Sequence, residues 1–227
     1  ENNPKILVFG DSHALSLLPT FDNALNDIER AGVFVGTSGC VPFLSIYSLR
    51  DDQNINNCHL LNERVKKFII QNKINTIFLI ARWSYYTNKN YKSKDTSYLA
   101  LSPYSQKNIE TSREAFKFGL KNTIASYDDL GIEIILVSQV PQQKFDPLKA
   151  YFYSDLHKTL IEDLSISREE HINLQNYTNN LFEKSTAKIL DFSSDLCDKN
   201  RCNIGNNKES FYHDDDHLSV IGSKRLV

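Results

Sequence analysis

A serine near one end of the sequence and a histidine near the other have the surroundings that nucleophilic catalysis requires. Ser12 stands in the stretch 10–13 (GDSH), and His217 follows Asp214 in the stretch 214–217 (DDDH). A serine hydroxyl becomes a nucleophile when an imidazole accepts its proton, and a carboxylate then orients that imidazole. We therefore predict that Ser12 is a nucleophile, His217 its general base and Asp214 the orienting carboxylate.

Each of the two motifs also has a simpler explanation. Asp11 or Ser12 can be no more than the cap of a helix, because both residue types favour that position. The second motif can be an acidic surface turn with a hydrogen-bonded histidine. Asp216, next to His217, is expected to cap the last helix, which we predict from 218 onward, rather than to contact the imidazole.

A divalent metal site is another alternative, because carboxylates and imidazoles are common metal ligands. The residues that would form it are Asp11, His13, His213, Asp214, Asp215, Asp216 and His217. Carboxylates at three consecutive positions converge poorly on one ion, and the order serine, aspartate, histidine suits catalysis without a metal. We predict no metal.

Five apolar runs of strand length alternate with helix-length segments. The runs are 5–9, 33–36, 76–81, 133–139 and 187–192, and the main amphipathic segments are 14–30, 58–72, 106–130 and 167–184. Continuous apolar runs indicate strands buried on both faces, and crossover helices require parallel pairing. The pattern predicts an α/β fold, a doubly wound five-stranded parallel sheet with helices on both faces. Functional loops follow the carboxyl ends of such strands, where Ser12 and His217 both lie.

The composition is that of an ordinary globular domain. The chain has 227 residues, of which 41% are hydrophobic and 24% charged, and its formal net charge is −2. Without a basic excess, nucleic acid is a poor candidate partner. No apolar run approaches the roughly 20 residues of a membrane-spanning helix. We predict a single domain over 1–227, cut at both ends from a longer protein, because the chain contains no methionine.

Four cysteines suggest an oxidising environment. Cys40 and Cys58 flank one loop, and Cys197 and Cys202 flank another. Four cysteines allow three connectivities, of which two local pairs is the simplest. A four-thiolate zinc site would need Cys-x-x-Cys spacings, and neither pair has one. Disulfides would place the domain outside the cytosol.

Two long connections, 83–105 and 142–165, are rich in tyrosine and are expected to form a substrate surface. In the first, the tyrosines proposed to stack on sugars are Tyr85, Tyr86, Tyr91, Tyr98 and Tyr104. The alternative is that these aromatic side chains pack against a partner domain. Three further histidines, His59, His157 and His171, have no partner motif, and we predict that they are surface residues.

The two motifs together carry a family resemblance. Gly-Asp-Ser-His after the first strand and Asp-x-x-His-Leu-Ser after the last resemble the SGNH (GDSL-like) hydrolase superfamily, over nearly the whole chain. Within it, the sequence is most similar to the periplasmic SGNH domains fused behind acyltransferase-3 membrane proteins, which O-acetylate bacterial surface polysaccharides. The stretches behind this narrower resemblance are 10–14 (GDSHA), 38–42 (SGCVP), 81–83 (ARW) and 212–219 (YHDDDHLS).

The resemblance implies a flavodoxin-like three-layer fold and an oxyanion hole with three donors. These would be the N–H of Ser12, a glycine N–H after the second strand and an asparagine after the third. Gly39 matches the glycine, with Gly36 as its rival. The asparagine is missing, because this chain has Arg82-Trp83 there, and either residue is a candidate substitute unless the two simply pack at the sheet edge.

The resemblance further implies an O-acetyltransferase domain that moves an acetyl group through an acyl-serine to a sugar hydroxyl of a surface polysaccharide such as O-antigen. It implies no cofactor bound by this domain, with acetyl-CoA as the ultimate donor through the membrane part. The expected partners are an N-terminal membrane acyltransferase domain of the same chain and a polysaccharide or lipid-linked glycan. The expected location is the periplasmic side of a bacterial inner membrane. The alternatives are a periplasmic carbohydrate esterase or deacetylase, and a non-catalytic carbohydrate-binding or docking module.

Overall fold

The centre of the protein is a parallel sheet of five strands, in a computed structural model that describes residues 4–50, 55–88 and 97–226. The strands are β1 (Ile6–Gly10), β2 (Gly32–Gly36), β3 (Thr76–Ile80), β4 (Glu133–Val137) and β5 (Lys188–Leu190). Their spatial order is β2-β1-β3-β4-β5, and every neighbouring pair is parallel. The predicted fold class is confirmed, with small shifts at the strand ends.

Helices surround the sheet. They are α1 (Ser12–Ser16), α2 (Leu18–Asp27), α3 (Ile55–Asn72), α4 (Trp83–Thr87), α5 (Ile109–Asp128), α6 (Pro147–His157), α7 (Arg168–Glu183), α8 (Ser193–Leu196) and α9 (Val220–Lys224), with a 3₁₀ turn at Ile161–Leu164. Two short antiparallel ribbons pair Tyr47–Ser48 with Leu99–Ala100 and Ile166–Ser167 with Arg201–Cys202. Among the described residues, no helix combines the length and the apolar character that a membrane span requires.

Both faces of the sheet are buried, which explains the continuous apolar runs in the sequence. In β1, Leu7 and Phe9 pack into the core on one face, together with Phe116 of α5, whereas Val8 packs on the other with Leu17. The sheet is therefore the middle of three layers.

Three helices differ from the sequence-based predictions in their bounds, their cap or their presence. The predicted helix 14–30 is interrupted before Pro19, which lies in the first turn of α2, as a proline allows. The last helix begins later than predicted and is capped by Ser219, so the prediction that Asp216 caps it was wrong. The connection 142–165 contains α6, which the sequence interpretation missed.

Glycines let the strands meet closely at the carboxyl edge of the sheet. Gly10 pairs with Gly36 on one side and with Ile80 on the other. A Cβ on Gly10 would overlap the Ile80 carbonyl, and one on Gly36 would overlap the carbonyl of Gly10. Only glycine fits at these two positions, from which the loops of the candidate site depart.

The two local disulfides predicted from the spacing are confirmed. Cys40 is bonded to Cys58 and Cys197 to Cys202, with sequence separations of 18 and 5. The first ties the loop after β2 to α3, and the second closes a turn before the last helix.

The longer disulfide should stabilise the protein more than the shorter one. In the loop-entropy model, closing 18 residues is worth about 3 kcal/mol and closing 5 about 2 kcal/mol. We expect Cys40→Ala/Cys58→Ala to lower the free energy of unfolding by about 3 kcal/mol in urea titrations, and Cys197→Ala/Cys202→Ala by about 2 kcal/mol. The opposite ranking would contradict the entropic explanation.

Candidate active site

Ser12 is the first residue of α1, directly beyond the carboxyl end of β1. Asp11 caps this helix, and its carboxylate accepts a hydrogen bond from the N–H of His13 at 2.9 Å. The same carboxylate accepts from the N–H of Arg82 at 3.0 Å and from the hydroxyl of Tyr86 at 3.1 Å. Asp11 is buried, and its hydrogen bonds hold the turn that carries Ser12 against the loop after β3.

Ser12, His217 and Asp214 form a continuous hydrogen-bonded chain. The Ser12 Oγ lies 2.7 Å from Nε2 of His217. On the other side of the ring, Nδ1 lies 2.8 Å from Oδ2 of Asp214 and 3.0 Å from Oδ1. In the neutral imidazole whose Nδ1–H donates a hydrogen bond to Asp214, Nε2 carries no proton and can accept the proton of the serine hydroxyl. The geometry suits the roles that the sequence analysis gives these residues.

The protonation of His217 is controlled by carboxylates. Burial lowers its pKa, but the hydrogen bonds and charges of Asp214 and Asp216 outweigh burial and raise the pKa to about 10. Burial raises the pKa of Asp214, but hydrogen bonds from the imidazole and from two backbone N–H groups outweigh it and lower that pKa. The site therefore holds a proton tightly on the imidazole and keeps Asp214 ionised.

Asp216 belongs to this site, which the sequence analysis did not foresee. It is 4% exposed, and its Oδ1 lies 2.9 Å from Nδ1 of His217. Its other oxygen, Oδ2, lies 2.7 Å from Nη1 of Arg82. Residues adjacent in sequence usually point apart, but here the turn is closed by a 2.8 Å bond from the N–H of His213 to the carbonyl of His217. Both carboxylates therefore reach the same ring nitrogen.

A small cavity of about 130 Å³ opens beside the Ser12 hydroxyl. Its walls come from the loops after β1, β2 and β3 and from the final loop: Asp11, Ser12, Ser38, Gly39, Arg50, Arg82, Tyr85 and His217. Gly39 is thus in the cavity, whereas its rival Gly36 is the last residue of β2. Of the predicted oxyanion donors, Ser12, Gly39 and Arg82 are brought together here.

Arg50 also lines this cavity, although no motif in the sequence points to it. Its guanidinium lies against the backbone of Gly39, where an added Cβ would overlap Nη1. Gly39 has φ = 69°, in the region that glycine adopts most readily. The same Nη1 lies 3.4 Å from the hydroxyl of Ser38. A second cavity of about 420 Å³, lined by residues after β2 and by the start of α3, shares Ser38, Gly39 and Arg50 with the first.

Trp83 is not available as an oxyanion donor, so this part of the prediction was wrong. Its indole N–H donates to the carbonyl of Val137 at 2.7 Å, and its side chain is fully buried. The ring stacks on Phe43 with centroids 5.5 Å apart. Trp83 is the first residue of α4, and this helix turns its side chain into the core while Arg82 stays at the cavity.

The residues of the metal alternative are only partly brought together. His13, Asp216 and His217 have potential ligand atoms within 4.8 Å of one another, as do Asp214, Asp215 and Asp216. Asp216, which both groups share, contacts His217 and the Arg82 guanidinium. A cation would have to displace that guanidinium, so the residues fit a metal poorly.

The five loop tyrosines do not form one sugar-stacking surface. Tyr86 is fully buried, and Tyr104 is 95% exposed. Tyr85 lines the cavity and lies under the guanidinium of Arg82, 5.1 Å from its ring centroid. Tyr98 is half-buried, and Tyr91 lies outside the described residues. Of the four tyrosines that the structure describes, Tyr85 alone lines the cavity beside Ser12.

One of the three histidines predicted at the surface is buried. His171 is 6% exposed in α7, and burial lowers its pKa to about 4. His157 is exposed, whereas His59 is half-buried and stacks on Tyr47. Burial favours the neutral imidazole of His171, so the prediction that it lies at the surface was wrong.

Comparisons with known proteins agree with this architecture. A family model described as "SGNH domain (fused to AT3 domains)" matches residues 1–227. No curated protein sequence matches the chain significantly. The periplasmic domain of a lipopolysaccharide acetyltransferase from Salmonella ser. Paratyphi A is similar in structure, with a TM-score of 0.72 and 15% identity, over 100% of this chain and 82% of that one.

Two structures described as hydrolytic proteins are less similar. A putative acylhydrolase from Bacteroides fragilis has a TM-score of 0.53 and 12% identity, over 100% of this chain and 84% of that one. A putative lipolytic protein of the G-D-S-L family from Desulfitobacterium hafniense has a TM-score of 0.51 and 12% identity, over 97% of this chain and 94% of that one. At these identities the similarity demonstrates the fold alone.

Proposed function

Because the chain belongs to the family of SGNH domains fused to AT3 domains, we propose that it is the acyl-transferring domain of a membrane O-acetyltransferase. The observation that carries the proposal is the chain of contacts from Ser12 through His217 to Asp214, beside a small open cavity. The family supports an acyl-transfer or hydrolase role, and the substrate is the finer part of our proposal: an acetyl group that moves to a sugar hydroxyl of a bacterial surface polysaccharide.

The first step forms an acetyl-serine. His217 Nε2 accepts the proton of Ser12 as Oγ attacks the acetyl carbonyl carbon. The carbonyl oxygen becomes an oxyanion, which the N–H groups of Ser12 and Gly39 and the guanidinium of Arg82 stabilise. When this intermediate collapses, the bond to the leaving group breaks, and His217 gives the proton to that group.

The second step delivers the acetyl group. A sugar hydroxyl gives its proton to Nε2 of His217 while its oxygen attacks the acyl carbon. The bond to Ser12 Oγ breaks, and the proton returns to the serine. If water replaces the sugar, the same steps hydrolyse the acetyl-serine, so the choice of acceptor separates a transferase from an esterase.

The family and the structural neighbour support a proposal for the donor, acceptor, partner and location of this chain. We propose an AT3 membrane domain N-terminal to this chain as its partner, and acetyl-CoA as the ultimate donor, delivered through that domain. No cofactor is assigned to this chain itself. The acceptor is a polysaccharide or lipid-linked glycan, and the location is the periplasmic side of an inner membrane. The named function of the Salmonella relative supports this assignment.

The test loads the serine and then offers acceptors. The chain is treated with p-nitrophenyl acetate, and the Ser12 peptide is examined by mass spectrometry for one added acetyl group. The loaded protein is then mixed with polysaccharide or with buffer. O-acetylated glycan supports the transferase. Acetate alone, at the same rate with and without glycan, indicates an esterase. Failure to load Ser12 indicates a non-catalytic module.

Activity should rise with pH well beyond neutrality. His217 must be neutral to accept the serine proton, and a pKa of about 10 leaves it mostly protonated at pH 7. We expect log kcat/KM for p-nitrophenyl acetate to rise by about one unit per pH unit below that pKa. The background rate of a Ser12→Ala variant is subtracted. A profile already flat above pH 7 would contradict the raised pKa.

A further inference from the structure

A buried carboxylate joins the catalytic histidine to the arginine of the cavity. We propose that Asp216 is a positioning residue with two partners. One carboxylate oxygen holds Arg82 beside Ser12, so that the Arg82 guanidinium replaces the missing asparagine as third oxyanion donor. The other carboxylate oxygen supports the imidazole of His217. This inference rests on the proposed function. It assigns a role to the residue at the second variable position of the motif Asp214-x-x-His217.

The geometry divides the two oxygens of Asp216 between two partners. Oδ1 lies 2.9 Å from Nδ1 of His217, and Oδ2 lies 2.7 Å from Nη1 of Arg82. His13 also faces Oδ2, with Nε2 at 3.7 Å. Asp216 is 4% exposed, and an unpaired carboxylate at such a buried position would cost much free energy. The loss of either partner is therefore unfavourable, and this holds Arg82 and His217 in place.

Arg82 can act as an oxyanion donor because the contacts that hold it keep its guanidinium at the wall of the cavity. Its side chain is 15% exposed, at the wall that also contains Ser12, Gly39 and His217. The backbone N–H of Arg82 is held by Asp11, and its guanidinium lies over the ring of Tyr85. A guanidinium carries five N–H donors, so the ion pair with Asp216 leaves donors for an oxyanion. Trp83, the other candidate beside it, has its only donor committed to Val137.

The charges around Asp216 keep it ionised. Burial raises its pKa, but contacts with His13 and His217 and the charge of Arg82 outweigh burial and hold the pKa well below its usual range. Other titratable groups also lie near this cluster: Asp214, beside His217; Tyr212, whose hydroxyl is buried near Asp216; and Tyr85 and Asp11, which both contact Arg82. Replacing Asp216 by asparagine removes one of the two negative charges that stabilise the imidazolium.

The test is a double-mutant cycle with Asp216→Asn and Arg82→Ala. We compare kcat for p-nitrophenyl acetate at its high-pH limit, where His217 is neutral in every variant, and expect each single variant to lower it by about 10²–10³-fold, as loss of one oxyanion donor does, with a smaller change in KM. Because both changes remove the contact between Asp216 and Arg82, the double variant should lose little more than either single one. Losses that multiply in the double variant would overturn the proposal.

Asp155→Asn is the matched control, because Asp155 forms an exposed ion pair with Lys158 and should change neither activity nor pH profile. Circular dichroism verifies the fold of each variant. If Arg82→Ala unfolds, Arg82→Lys takes its place, since lysine keeps the charge but not the fork of donors.

A second measurement does not depend on catalysis. NMR titration of His217 should give a lower pKa in Asp216→Asn than in the native protein or in Asp155→Asn, and the pH profile should move with it. An unchanged pKa would overturn the support of His217 by Asp216. A native chain that never acylates Ser12, but whose His217 pKa falls in Asp216→Asn, would contradict the proposed function and the oxyanion role of Arg82, and would support only the contact between Asp216 and His217.

Discussion

Replacing Ser12 by alanine should abolish acetyl transfer and ester hydrolysis, with a fall in kcat of roughly 10⁴-fold or more. The reason is that Ser12 Oγ is the atom to which the acetyl group is bonded in our mechanism, and it lies 2.7 Å from the base that activates it. The measurements are hydrolysis of p-nitrophenyl acetate by the purified chain, and O-acetylation of surface polysaccharide in cells that produce the full-length protein.

The matched control is Ser16→Ala on the same helix. The Ser16 hydroxyl donates to the carbonyl of His13 at 2.9 Å, so its removal costs one local hydrogen bond and leaves the nucleophile intact. We expect this variant to retain most of the native activity. Full activity in Ser12→Ala, with the protein folded, would remove Ser12 from the mechanism.

The fold could be predicted because its signal is local. In β1, residues 6–9 are apolar on both faces, and the glycine that ends the strand follows at once. α6 was missed because its large apolar side chains do not mark a buried face: Leu148 and Phe152 are 80% and 69% exposed, and the residue buried between them is Ala150. A pattern based on apolar residues cannot distinguish such a helix from a loop.

The site was predictable only where spacing determines geometry. Asp214 and His217 are three positions apart in a turn, and this spacing brings the carboxylate to Nδ1. Asp216 was assigned to a helix cap because sequence separation does not reveal the hydrogen bond that closes the loop 213–217. Whether Arg82 or Trp83 faces the cavity depends on where α4 begins, and the sequence does not define that point to one residue.

The place of Arg50 in the site was even less predictable from the sequence than those of Asp216 and Arg82. It follows Gly39 through a loop without a recognisable motif, and only the folded chain places its guanidinium on that glycine. Two guanidinium groups, Arg50 and Arg82, therefore flank the cavity beside Ser12. Arg82 is held by Asp216, whereas the position of Arg50 depends on the absence of a side chain at Gly39.

Gly39→Ala should accordingly lower activity by about 10²–10³-fold, the usual cost of an oxyanion donor. The new Cβ would overlap Nη1 of Arg50 and displace the guanidinium. It would also strain a backbone at φ = 69°, which shifts the N–H that we assign to the oxyanion hole. The measurement is kcat for p-nitrophenyl acetate. Arg50→Ala separates the two causes, because it removes the guanidinium and leaves the Gly39 backbone in place.

Gly131→Ala is the control for strain alone. Gly131 has φ = 68°, nearly that of Gly39, but an added Cβ there would meet no atom within 4 Å. Both alanine variants should lose about 1–2 kcal/mol of stability from the backbone conformation, whereas only Gly39→Ala should lose activity. If Gly39→Ala keeps the native kcat, as Gly131→Ala should, the Gly39 N–H is not an oxyanion donor. If kcat falls in Gly39→Ala but not in Arg50→Ala, the backbone N–H rather than the guanidinium acts on the substrate.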